Sequence, residues 1–305
     1  MATAKRMPTR DHASVPSELL PPFIVHAPQP QAAPFVLCSP HSGNTYPRDF
    51  LKQSRLTPLS LRKSEDCYVD KLFQPVAAEG VPLIAARFPR AFLDVNREPY
   101  ELDPELFIEP LPDYANAQSV RVAGGLGTIA RIVADGEEIY PNKLPLASGL
   151  RRVEQLYIPF HAALAELIEQ TRHRFGYAIL IDCHSMPSAS MAPAGGPRPD
   201  IVLGDRFGAA ADSKITRFLK ECLADLGYEV QMNRPYAGGY ITEHYGRPAR
   251  NVHAVQLELN RGLYLDERTL QPTAAFASLQ RDLESLAGPL FCDLPALLER
   301  RAAAE

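Results

Sequence analysis

The chain has no tryptophan, no pair of cysteines at CxxC spacing and no run of Lys and Arg. It also has no apolar stretch near the roughly 18–20 residues of a membrane span. Nothing follows from the missing tryptophan. The five cysteines (Cys38, Cys67, Cys183, Cys222 and Cys292) are scattered and odd in number. That excludes an even disulfide framework and leads us to expect reduced thiols and a cytoplasmic home. The formal net charge is -4, which argues against nucleic acid as the main partner. The N-terminus lacks a hydrophobic signal region, so neither export nor membrane association is expected. There are no internal repeats.

What is present is a globular composition, 46% hydrophobic and 22% charged over 305 residues, enough to bury a large core. Residues 1–34 are broken by Pro8, Pro16, Pro21, Pro22, Pro28, Pro30 and Pro34. They are expected as an extended arm, disordered at its start, with Phe23-Ile24-Val25 packing on the domain. Residues 35–305 are expected as one α/β domain with a loop-rich excursion over 98–150.

The stretch AILIDCHSMP, Ala178 to Pro187, organises the rest. Its continuous apolar run suits a strand covered on both faces. It ends in Asp182, Cys183, His184 and Ser185, where α/β sheets place their ligands. Phe35 to Cys38 repeats the design and ends in Ser39-Pro40-His41-Ser42-Gly43. Each histidine is a candidate metal ligand. A capped strand end with a hydrogen-bonded histidine explains the same letters.

Other candidates follow. From Pro58 a helical pattern begins, with Val69, Leu72, Phe73 and Val76 on one face and Asp66 leaning toward it. A carboxylate there needs a partner or a metal; service to the helix N-terminus is the alternative. Ala91 to Arg97 is read as a strand ending in Asp94, Asn96 and Arg97. A planar guanidinium there suits a carboxylate, although a surface salt bridge is the commoner fate. Leu150 to Arg174 is the clearest helix, and its His161 and His173 are expected to be solvated or locally bonded. Pro235 to Arg247, which contains Thr242, is dense in Gly, Tyr and charge. Val252 to Leu259 is a strand that carries Glu258 between two leucines. Burial would raise this carboxyl toward the range of a general base; an exposed edge position would not. Gly125 to Ala130 fits G-x-G-x-x-A. However, Gly136 and Pro141 cut the helix it should open, and no acidic strand end follows about 20 residues on.

Two histidines, one aspartate, a glutamate and an arginine together describe metal-assisted amide hydrolysis. The segments SPHSG, SEDCYVDKLF, FLDVNREP, GLGTIARIVADGEEIY, LIDCHSMPS, GGYITEHYGRP and HAVQLELNRGLYLDE resemble the N-formylglutamate amidohydrolase family, in its order, from about Phe35 to Asp266. The resemblance implies a zinc carboxypeptidase-like α/β fold, with a mixed, largely parallel sheet between helices. It implies one zinc held by His41, Asp66 and His184, with Glu258 as base. It implies a small acidic N-acyl amino acid as substrate, received by Asn96, Arg97 and Thr242. Asn44 stands where the carboxypeptidases have their glutamate ligand, so Asp66 takes that role, with Glu65 as fallback. The implied reaction is N-formyl-L-glutamate plus water to formate and L-glutamate, which would place the enzyme in histidine degradation. The competing readings are a deacylase of another N-acyl amino acid, a catalytically silent ligand-binding relative and an NAD-dependent oxidoreductase.

Overall fold

Long apolar runs that stop at polar turns become the strands of one sheet. They are β1 (Phe23–His26), β2 (Phe35–Ser39), β3 (Leu83–Ala86), β4 (Ala178–Met186), β5 (Ile201–Gly204), β6 (Val230–Met232) and β7 (Val252–Asn260). The computed structural model describes residues 16–133, 136–191, 199–296 and 298. The expected disordered start of the arm and residues 192–198 of the loop after β4 lie outside the described residues.

The sheet order is β1-β3-β2-β4-β7-β5-β6. The four strands β3, β2, β4 and β7 are parallel. β1 caps one edge antiparallel to β3, so the described part of the arm is built into the sheet. On the other side β5 runs antiparallel to β7, and β6 parallels β5. The fold is therefore mixed α/β with a largely parallel centre. β2 and β4 are buried at every position, as strands covered on both faces must be.

Alternation along the strands separates two cores. Ala178, Leu180 and Ala254 face one core, with Phe160, Leu164 and Ile168 of the long helix. Ile179, Ile181, Val255 and Leu257 face the other, with the helices Val69–Ala78, Ser213–Asp225 and Phe276–Ser285. The same alternation puts Asp182 and His184, and likewise Gln256 and Glu258, on the first face at the strands' carboxyl ends. Burying one aromatic such as Phe160 stabilises the fold by roughly 2–3 kcal/mol.

The long helix starts earlier than its periodicity suggests. Leu146–Arg152, Val153–Tyr157 and Ile158–Phe175 run on as one element with a π-turn in the middle. Pro159 explains the turn: it has no N–H for the carbonyl four residues back, and its ring would press on that carbonyl. The helix ends where the Gly176 N–H bonds the Arg172 carbonyl.

One expected element differs. Ala91 to Arg97 is not a strand. The N–H groups of Phe92 and Leu93 bond the Pro89 carbonyl, and the Asp94 carboxylate takes the Asn96 N–H at 2.8 Å, which curls the chain. The described residues of 98–150 bury Leu102, Leu106, Phe107, Ile129 and Ile139 in the first core. Gly125 to Ala130 holds no helix, so the dinucleotide pattern lacks the element it requires. Among the described residues no helix is long and apolar enough to cross a membrane.

Candidate metal centre and active site

Three side chains from distant parts of the chain meet at the carboxyl ends of β2 and β4. His41 lies just past β2, His184 is near the end of β4, and Asp66 stands in the turn before the helix Val69–Ala78. That turn, with Tyr68 left-handed at φ 63°, corrects the expectation that Asp66 rides on the helix. Its backbone N–H bonds the His41 carbonyl at 3.0 Å, which ties the two loops together. Candidate ligand atoms of His41, Asp66 and His184 all lie within 4.8 Å of one another, and all three residues are buried. The group can hold a metal ion.

The surroundings fit that use. Asp66 Oδ2 is 2.9 Å from His184 Nδ1 and 3.4 Å from His41 Nδ1. His41 Nδ1 is buried without a hydrogen-bond partner, an unmet acceptor aimed at the carboxylate. The far nitrogens of both rings meet carboxylates: His41 Nε2 is 2.7 Å from Asp94 Oδ1, and His184 Nε2 is 3.0 Å from Asp182 Oδ1. Metal-bound imidazoles are held from behind in this way, which fixes the tautomer that leaves the near nitrogen free. The Asp182 oxygen is close enough to pair with His184 but takes no well-aligned hydrogen bond. Asn96 Nδ2 also approaches His184 Nε2, at 3.2 Å.

Charge is balanced around the triad. Burial opposes ionisation of Asp66, but the close approach of His184 and His41 outweighs it and holds the carboxyl well below its usual range. Arg261 Nη2 bonds its other oxygen, Oδ1, at 3.1 Å. Arg90 Nε bonds Asp94 at 2.9 Å. Burial also works against the charge on Asp94, and Arg90 and Arg97 keep it ionised.

Glu258 sits beside this group. It is the in-register partner of His184 across β4 and β7 and is 7% exposed. Burial pushes its carboxyl up to about 7. Gln256 Nε2 donates to its Oε1 at 2.7 Å.

A cavity of about 470 Å³ opens onto the triad and Glu258, and Asn96, Arg97, Arg121 and Arg206 are among its other lining residues. Arg97 donates Nε to the Leu126 carbonyl and Nη1 to the Asn96 carbonyl, both at 2.9 Å. Its Nη2 lies 3.6 Å from Asp94. Thr242 is the site residue that the structure does not bring to the cavity. It is fully buried, and its hydroxyl points to Asp182 Oδ2 at 3.4 Å; it supports the centre from behind and has no access to a substrate. Glu65 does not join the triad: its carboxylate takes the Tyr46 hydroxyl at 2.5 Å and Arg62 Nε at 3.2 Å.

Arg90, Gln256 and Arg261 escape the sequence reading. Two signals point to the last two: Gln256 is two positions before Glu258 and so shares its face, and Arg261 repeats at the end of β7 the Asn-Arg pair of Asn96-Arg97. His161 is locally bonded, not solvated: Nδ1 meets the Tyr245 hydroxyl at 2.9 Å and Nε2 the Val95 carbonyl at 2.8 Å.

The chain is similar to known proteins along most of its length. Residues 33–265 match the family described as N-formylglutamate amidohydrolase. A protein of Pseudomonas putida named N-formylglutamate deformylase is 31% identical over 237 residues, 77% of this chain and 82% of the relative. One of the same name from Pseudomonas aeruginosa is 30% identical, covering 77% and 83%. The crystal structure of N-formylglutamate amidohydrolase from Ralstonia eutropha superposes with a TM-score of 0.84 at 36% identity, covering 92% of this chain and 99% of that one. A structure from Agrobacterium tumefaciens, 18% identical with a TM-score of 0.64 over 91% of this chain and 96% of that one, shares the fold. On the matched span of 33–265 and these identities, the chain belongs to the N-formylglutamate amidohydrolase family.

Proposed function

We propose that this chain hydrolyses the amide of N-formyl-L-glutamate, giving formate and L-glutamate, with zinc held by His41, Asp66 and His184. The observation that carries the reading is the buried His41–Asp66–His184 group with the Glu258 carboxyl in register beside His184. Two neutral imidazole nitrogens and one carboxylate are the three protein ligands of a catalytic zinc that keeps a position open. When bound, the metal lowers the pKa of water and polarises the carbonyl.

The chain's residues supply the rest. Glu258, its carboxyl raised by burial to about 7, takes a proton from the attacking water as the oxygen bonds to the formyl carbon. It returns that proton to the amide nitrogen as the C–N bond breaks, so glutamate leaves as the amine and formate carries the new oxygen. Arg97, which lines the cavity and is oriented by Nε and Nη1 bonds to two backbone carbonyls, offers its remaining N–H groups to a substrate carboxylate. Arg121 and Arg206, on the cavity wall, favour a second carboxylate over an uncharged side chain. The cavity's size suits a small amino acid derivative. Hydrolysis of this substrate suits a cytoplasmic step in histidine breakdown, and the five free cysteines accord with that compartment.

The test is elemental analysis together with hydrolysis of a panel of formyl-, acetyl- and carbamoyl-amino acids. Close to one zinc per chain and a clear preference for N-formylglutamate are expected. Efficient turnover of an acetyl or carbamoyl substrate in its place would reassign the acyl group.

A further inference from the structure

We propose that Gln256 is a positioning residue for Glu258, and that it takes its own orientation from the backbone N–H of Gly239. This rests on Glu258 as the proton acceptor.

The argument starts from an absent side chain. Gly204 of β5 is the register partner of Gln256 on β7. A Cβ there would stand 2.6 Å from the Ala237 carbonyl carbon and 2.7 Å from the Gly238 nitrogen. Only glycine lets the 235–241 segment lie down on the sheet at this point. Gly239 then reaches the sheet residues, and its N–H donates to Gln256 Oε1 at 2.7 Å. A carboxamide whose oxygen is occupied must present its NH₂ in the other direction. Gln256 Nε2 accordingly donates to Glu258 Oε1 at 2.7 Å. One carboxylate oxygen is thereby held, and Oε2 is left to carry the proton.

A second carboxamide is also held by this segment. Asn96 Oδ1 accepts the Ile241 N–H at 2.8 Å, while Asn96 Nδ2 lies 3.2 Å from His184 Nε2. A Cβ on Gly239 would stand 2.5 Å from Asn96 Nδ2, so the two bridges are packed against each other. The segment 235–241 also lines the cavity through Pro235, Tyr236, Ala237, Gly238 and Gly239. The wall that meets the substrate and the group that takes its proton are joined by two short hydrogen bonds through one side chain.

The test compares Gln256→Ala and Gln256→Glu with the wild type. Gln256→Glu keeps an acceptor for Gly239 but replaces the donor to Glu258 with a like charge. Both variants are expected to keep the metal, to hold KM within about threefold and to lose about 10–100-fold in kcat, the range for removing a supporting partner. An unchanged kcat, or a loss that falls on KM or metal content alone, would overturn the proposal. Crystal structures of metal-loaded wild type and Gln256→Ala read the geometry without substrate. A displaced Glu258 carboxylate in the variant supports the proposal; one that does not move defeats it. If the wild type fails to hydrolyse N-formylglutamate, the functional reading alone falls, and the structural comparison still decides the role of Gln256.

Discussion

His184 and Glu258 are paired in register across two parallel strands. Their side chains stand next to each other because the backbone ladder of β4 and β7 places them there. The pairing covers nine consecutive positions, from Ala178↔Val252 to Met186↔Asn260. A one-residue slip would turn every side chain on one strand to the opposite face, so the spacing of ligand and base is guarded by the whole ladder.

Replacing Glu258 by Gln keeps the shape and removes the proton acceptor. Metal content should stay near that of wild type, while kcat falls by on the order of 10²–10⁴. Steady-state assay beside elemental analysis measures both, and a variant that retains turnover takes Glu258 out of the mechanism.

Asp66→Ala should lose the metal and also destabilise the fold. Arg261, 7% exposed at its side chain, would keep a buried charge without its carboxylate, a defect that costs about 3–5 kcal/mol. Denaturant unfolding of the metal-free proteins isolates that effect. Equal stability of the two would mean that Arg261 finds another partner.

Arg97→Lys replaces a planar fork by a single point charge. KM for N-formylglutamate should rise by roughly 10-fold or more, with kcat changed much less, as expected for an interaction made equally in the ground and transition states. An unaltered KM would move the carboxylate site to another cation of the cavity, with Arg121 the first to try.

His161 supplies a pH prediction away from the metal centre. Burial pushes its imidazole down to about 4, against an ordinary value near 6.5. Between these values the unfolded chain binds a proton that the folded chain does not, so stability falls as pH drops from about 6.5 to 4 and is unaffected above that window. The loss is roughly 2–3 kcal/mol across the window. His161→Gln should flatten this slope in urea unfolding at pH 4.5, 5.5 and 7; parallel curves for the two proteins would acquit His161.

The candidate site is legible in the sequence wherever chemistry coincides with a strand end. His41, His184 and Glu258 each follow an apolar run whose burial is written in its letters. Asp66 is legible as a residue type near a helix, but its place is not, because a left-handed Tyr68 breaks the pattern that seems to run from Pro58. Ala91 to Arg97 looks like a strand because Phe92, Leu93 and Val95 are apolar and buried, and burial alone does not distinguish a curled segment from an extended one. Thr242 lies in a stretch dense in Gly, Tyr and charge, and nothing in those letters tells that its hydroxyl faces inward, toward Asp182. Gln256 and Arg261 have sequence signals, but their bonds to Gly239 and Asp66 join positions 17 and 195 residues apart, and these the letters do not show.

The reversal of direction between β7 and β5 has a consequence for how such an enzyme can vary. Because β5 runs back along β7, the start of β5 at Ile201 stands level with Leu259, at the same rim where the imidazoles stand. The excursion of residues 98–150 reaches that rim from the opposite side through Arg121, Leu126 and Gly127. This excursion does not belong to the nine-position ladder. Its length and side chains can drift, and with them the acyl compounds admitted, while the hydrolytic apparatus stays where the central strands hold it.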